Sequence, residues 1–138
     1  VTARWTSPPG GESYPGIVHG GLVATLLDAA MVHALFARGI VARTGELRIR
    51  YRSPVCIGSP VTVRAWLTNG NGRLFVLEAE LRQGASVCAE ARAKFMQLIA
   101  GGYPVVDADS PGTLFGRHDG IQPIDTVVAN GAYTPPAP

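Results

Sequence analysis

An aspartate inside an apolar helix, and a histidine followed by two glycines at the start of that helix, are the residues best placed to do chemistry. Across residues 22–37 Asp28 is the one charged side chain. Burying a carboxylate is costly, and a buried one usually has its pKa raised or gains a partner. An aspartate tolerated there is a functional candidate. A structural aspartate that caps a loop or pairs with an arginine would explain the same residue. The second feature is Gly16-Ile17-Val18-His19-Gly20-Gly21, which runs straight into the helix. Glycines there let the backbone turn tightly and let a ligand approach the unpaired N–H groups of the first turn. Those groups, at the positive end of the helix dipole, suit a developing oxyanion. For Gly-Gly alone, a plain helix-entry turn would suffice. Asp28 lies seven residues beyond Gly21, roughly 10 Å up the helix. A carbonyl held at the helix start is then out of reach of the same chain's Asp28. Two such helices running antiparallel across a dimer would bring each Asp28 towards the other's Gly20.

The elements that hold these residues can be read from periodicity. Residues 1–6 read as a short strand, ended by Pro8, Pro9, Gly10 and Gly11. Over 20–38, Leu22, Val23, Leu26, Leu27, Met31, Val32, Leu35 and Phe36 make a helix apolar around most of its circumference. Such a helix is expected to be wrapped on most sides, and Gly39 is placed to stop it. Period-two alternation then takes over. Leu47, Ile49 and Tyr51 oppose Glu46, Arg48 and Arg50; Val61, Val63, Ala65 and Leu67 oppose Thr62, Arg64, Trp66 and Thr68. Phe75, Leu77, Ala79 and Leu81 alternate likewise, as do Val87, Ala89, Ala91, Ala93 and Phe95, with Cys88 on the opposite face. Asn69-Gly70-Asn71-Gly72 and Gln83-Gly84 read as tight antiparallel hairpins. One apolar helix must cover the apolar faces of these strands, which implies an α+β layer architecture with an antiparallel sheet curled around it.

Size and composition narrow the function. The 138 residues suit one domain, read here as 1–99. Residues 100–138 form a Gly- and Pro-containing arm expected to pack on that domain or on a neighbouring subunit. A net charge of +2, with scattered arginines, supplies no phosphate-neutralising face, so no nucleic-acid partner is expected. No apolar run reaches the roughly 20 residues needed to cross a bilayer, and no signal-peptide pattern opens the chain. Cys56 and Cys88 read as free thiols of a cytoplasmic protein, with a single disulfide between them as the less favoured alternative. They stand 32 positions apart, and His19, His33 and His118 lack ligand-like spacing, so no metal is expected. His33 reads as a satisfied core histidine. No G-x-S-x-G elbow exists for a serine hydrolase.

His19-Gly20-Gly21-Leu22-Val23-Ala24-Thr25-Leu26-Leu27-Asp28 resembles the signature of hotdog-fold thioesterases of the phenylacetate-degradation type. Thr44-Gly45-Glu46-Leu47-Arg48-Ile49-Arg50-Tyr51-Arg52-Ser53-Pro54 resembles the next strand of those proteins, and the Gly58-Ser59-Pro60-Val61 turn also fits them. The resemblance covers residues 1–98. It implies a hotdog fold and hydrolysis of an acyl-CoA thioester, with no cofactor beyond the CoA of the substrate. By the same resemblance the Gly20 N–H polarises the carbonyl, and Asp28 is nucleophile or general base. Thr44 assists from the subunit that supplies the acid, and His19 shapes the loop. Many relatives carry an amide or histidine ahead of the loop, where this chain has Glu12-Ser13-Tyr14-Pro15. Ser13 or Tyr14 would stand in for it beside the substrate, together with Gly21. The spacing of Gly20 and Asp28 already calls for a homodimer with shared sites, and the resemblance adds that such dimers often pair into tetramers. Two alternatives remain: a non-catalytic acyl-CoA or small-ligand binding protein, and a dehydratase or hydratase of the same fold. The second would need a His-Phe-Pro-type context that is missing. CoA phosphates would call for arginines; Arg48, Arg50, Arg92 and Lys94 alternate onto polar faces, and none is assigned.

Overall fold

The alternating stretches form long strands that lie side by side in one antiparallel sheet. The computed structural model describes residues 1–98; the arm read over 100–138 lies outside them. The elements are β1 (Thr2–Trp5), β2 (Glu12–Tyr14), β3 (Ile17–Val18), α1 (Gly20–Phe36), β4 (Ala42–Tyr51), β5 (Val61–Asn71), β6 (Leu74–Gln83) and β7 (Ser86–Gln97). The main sheet runs β1-β5-β6-β7-β4, and β2 pairs with β3 in a small ribbon. Two hairpins turn at Gly72 and Gly84, each with φ of 58°, which glycine adopts without steric cost.

The first hairpin is tighter than the sequence suggests. The run Asn69-Gly70-Asn71-Gly72 reads as turn throughout, yet β5 continues to Asn71, paired through Gly70 and Asn71 with Phe75 and Leu74. A side chain at Gly70 would meet the Phe75 ring at 3.0 Å. That glycine makes room for an aromatic neighbour, and of the four residues only Gly72 lies in the turn, followed by Arg73.

α1 lies across the apolar face of the sheet. Val23, Leu26, Leu27, Ala30, Met31, Ala34 and Leu35 share one core with Val61, Val63, Leu77, Leu81, Ala91 and Phe95. The helix ends two residues before Arg38. Gly39 N–H bonds Phe36 O, and Ile40 N–H bonds Leu35 O; with Gly39 at φ of 69° this is a Schellman closure. Its other side corrects the expectation of wrapping on most sides. Gly21 and Thr25 are exposed, and Asp28 and Val32 are half-buried. These positions, spaced four, three and four apart, form one stripe that the chain's own sheet leaves open.

Cys88 also departs from simple alternation. Leu81 pairs with Ala89 and Arg82 with Val87, so Cys88 is the extra residue of a bulge and turns into the core. It is a buried free thiol, and Cys56 an exposed one. No helix among the described residues is long and apolar enough to cross a membrane.

His33 shares a small apolar recess with Val1, Ala3, Trp5, Leu26 and Val63. Its ring meets Phe36 edge-on at 6.0 Å between centroids. Burial disfavours the imidazolium and lowers the pKa of His33 from its ordinary 6.5. The folded state therefore binds fewer protons than the unfolded state just below that value. This contribution to stability is complete above 6.5, is lost as pH falls towards the lowered folded value, and then levels off. Urea unfolding at about pH 7.5 and about pH 5 should show a larger acid loss in the wild type than in His33→Gln. Equal losses would contradict this account of His33.

Candidate active site at the start of the helix

His19 is the N-cap of α1, and its Nδ1 accepts the Gly21 N–H at 2.9 Å. Leu22 and Val23 donate to His19 O at 2.9 and 3.3 Å. Three of the first N–H groups are thus satisfied. The Gly20 N–H makes no hydrogen bond to any described residue, and it stands at the positive end of the helix. The loop is also held from behind, since His19 N–H donates to Gly11 O at 2.8 Å and Val18 N–H to Val55 O at 2.8 Å.

The two glycines have different physical reasons. A Cβ on Gly21 would meet His19 Nδ1 at 3.0 Å, so the bare residue lets the imidazole close over the helix end. Among the described residues, a Cβ on Gly20 would meet only the Tyr51 ring, at an ordinary 3.6 Å. Packing among the described residues therefore does not demand glycine at 20. What the missing side chain leaves is open approach to an unpaired N–H.

Asp28 lies farther up the open stripe. Thr44 Oγ1 donates to Asp28 Oδ1 at 2.8 Å, and no cation of the described residues pairs with Asp28. Among the described residues, then, Asp28 is not half of a buried ion pair. The expectation of a fully buried carboxylate also needs correction: Asp28 is half-buried, because its stripe faces away from the sheet.

The way Thr44 reaches Asp28 is not a matter of simple alternation. Strict period two would put Thr44 on the outer face with Glu46, Arg48 and Arg50. The register shifts, however, so that Thr44 pairs with Phe95 and Glu46 with Lys94. Gly45 is the extra residue of a β-bulge. The side chain before it turns to the inner face, where Phe95 is fully buried and α1 lies. A lone glycine inside a strand pattern is a signal for this.

Ser13 and Tyr14 lie on the β2–β3 ribbon that leads into the loop. Both are exposed, and neither side chain hydrogen-bonds a described residue. Arg48, Arg92 and Lys94 lie on the outer face in ion pairs with Glu46 and Glu78. One contact at the loop is not foreshadowed by any motif in the sequence. Tyr51, from the last position of β4, donates its hydroxyl to Gly20 O at 2.7 Å.

A family model described as the thioesterase superfamily matches residues 15–95, a span that holds the loop, Asp28, Thr44 and all but the last two residues of the four long strands. The chain belongs to the thioesterase superfamily. Among curated relatives, the acyl-coenzyme A thioesterase THEM4 of Mus musculus is 32% identical over 89 residues, 63% of this chain and 38% of that protein. Its Rattus norvegicus counterpart is 41% identical over 66 residues, 47% of this chain and 28% of that protein. The chain thus spans well under half the length of the curated relatives it matches. Among solved structures, a Bacillus halodurans protein with CoA is 28% identical, with a TM-score of 0.63 over 69% of each chain. The PaaI protein of the Escherichia coli phenylacetic acid degradation operon is 20% identical, with a TM-score of 0.68 over 71% of this chain and 72% of that one. That likeness bears on the fold, which is the hotdog fold expected of a thioesterase-superfamily member.

The His19 cap can be tested alone. His19→Ala should cost about 1 kcal/mol in chemical denaturation, and His19→Asn, which restores an acceptor at the N-cap, should recover most of it. Equal losses in the two variants would contradict a capping role.

Proposed function

We propose that this chain hydrolyses the thioester of a small or medium acyl- or aryl-CoA, at a site composed by two copies of itself. The observation that carries the reading is the unpaired Gly20 N–H at the start of the helix whose open stripe bears a Thr44-held Asp28. Superfamily membership supports the reaction class. The matches to proteins named acyl-coenzyme A thioesterase, and to a solved relative with CoA, support CoA as the carrier.

Spacing within one chain argues for the second copy. Gly20 and Asp28 are eight residues apart along one helix, about 12 Å, too far to act on one carbonyl. β4 is a ten-residue edge strand with β7 on one side and no strand on the other among the described residues. A long open edge is a template for pairing, and a two-fold axis would join two copies of β4 antiparallel. The two helices would then run antiparallel beside each other on one continuous sheet. The small residues Gly21, Ala24 and Thr25 on the open side of α1 favour close approach.

In the proposed reaction the substrate carbonyl accepts the Gly20 N–H, which stabilises negative charge on oxygen as the tetrahedral centre forms. Asp28 of the other copy either takes a proton from water as the water oxygen bonds to the carbonyl carbon, or attacks that carbon itself and is later released by water. Either route breaks the C–S bond, sends the electron pair and a proton to the CoA sulfur, and leaves the carboxylic acid. Thr44 orients Asp28 through the Oδ1 hydrogen bond. Water is the only co-reactant, and no resident cofactor is required. The two free thiols are in keeping with a reducing, cytoplasmic setting.

Thiol release from short-chain, long-chain and aryl-CoA thioesters tests this. Asp28→Asn should lower kcat by at least about 100-fold while keeping the fold and CoA binding. Unchanged turnover would overturn the assigned role. No turnover across the panel, with CoA esters still bound, would favour a binding protein.

A further inference from the structure

We infer that Tyr51 is a positioning residue for the oxyanion-binding amide, holding the Gly20 peptide from outside the loop. This rests on the thioesterase reading and adds a residue to it. Tyr51 continues the inner face of β4 after Leu47 and Ile49, yet it is 53% exposed. Core packing therefore does not account for it. Its hydroxyl donates to Gly20 O at 2.7 Å across 31 residues of sequence, near the best length for an O–H···O bond. Its ring lies 3.6 Å from where a Gly20 Cβ would stand, so the contact includes a face as well as a tip.

The need for such a tie comes from Gly20 itself. Glycine is the residue least able to fix its own backbone angles, and this glycine bears the N–H the reaction uses. The peptide before it is held, because His19 O accepts two N–H groups and His19 N–H reaches Gly11 O. The peptide after it is held at one end by the His19 cap on Gly21 N–H. Tyr51 adds a hold on its carbonyl from a different element. With the atoms on both sides of Gly20 fixed, its free N–H has one direction, which is what a preorganised oxyanion donor needs.

The placement on β4 is also informative. The same strand carries Thr44, which holds Asp28, at its other end. On the shared-site reading, one copy of β4 holds the donor and the other copy holds the acid. Strand pairing at the dimer edge would then set the distance between the two halves of each site.

Tyr51→Phe keeps the ring and removes the hydroxyl. The expected result is a fall in kcat of about 10-fold, smaller than loss of the donor itself, with KM and CoA affinity within about twofold. Gly20→Pro removes the N–H at a position where proline suits the start of a helix. Adding Tyr51→Phe to Gly20→Pro should cost nothing further, because no donor is left to aim. In the ¹⁵N-labelled protein, Tyr51→Phe should shift the Gly20 and Gly21 amide resonances and lower their order while leaving the sheet unchanged. An active wild type with Tyr51→Phe at full kcat would overturn the inference and leave the thioesterase reading standing. A raised KM at constant kcat would also overturn it, as would a full additive loss in the double variant. A wild type inactive on every thioester would sink the thioesterase reading instead. The amide resonances then decide on Tyr51, and unchanged Gly20 and Gly21 signals would overturn its role.

Discussion

A sheet can cover only one side of a helix, and α1 is apolar around most of its girth. The side it buries, through Leu27, Met31 and Leu35, is fixed by the inner faces of β5, β6 and β7. The side it cannot bury carries Gly21, Thr25, Asp28 and Val32. Among the described residues, the candidates Gly20, Gly21, Asp28 and Thr44 lie on or beside that open stripe. None of the four stripe residues is a large exposed hydrophobic, so the stripe can stand in water, and what argues for a second copy is the separation of Gly20 from Asp28 along one helix. On the shared-site reading, the candidate site is where that second copy arrives.

The strand next to the helix does the fine placement. β4 is the edge of the sheet, its outer residues Glu46 and Arg48 are ion-paired, and its inner residues Thr44 and Tyr51 reach α1. One extra residue at Gly45 reverses the facing of Thr44 and brings its hydroxyl onto Asp28. Seven residues on, Tyr51 reaches the first helical residue. Both contacts are short hydrogen bonds from hydroxyls on one strand to two points on one helix. They tie the helix start and the carboxylate to the same rigid element, which is how a site gains precision from a scaffold.

Much of this was legible in the residues because two periods change so sharply. Residues 22–36 repeat as a helix and the later segments alternate as strands, and the apolar face assigned to each strand is the buried one. His-Gly-Gly before a helix with a lone aspartate marked a candidate oxyanion loop and a candidate acid, and the solved relatives share the fold those elements imply. What alternation could not show were the departures from it. A bulge changes facing without changing composition, so Thr44 rested on resemblance alone and Cys88 was placed on the wrong side. Asn69-Gly70-Asn71 reads as a turn because those residues favour turns, but cross-strand pairing and the Phe75 ring prevailed. Tyr51 looked like one more apolar position on a strand; its hydroxyl's partner is 31 residues away, and no local pattern encodes that.

The central claim, that each site takes its amide from one copy and its acid from the other, is tested most directly by subunit complementation. Gly20→Pro and Asp28→Asn would be co-expressed with different affinity tags, and heterodimers carrying both tags isolated. Each variant alone should be nearly inactive, whereas the heterodimer contains one site with both an intact Gly20 and an intact Asp28. It should recover about half the wild-type rate per dimer. Heterodimers as inactive as the two parents would place both groups of each site in one chain and contradict the account.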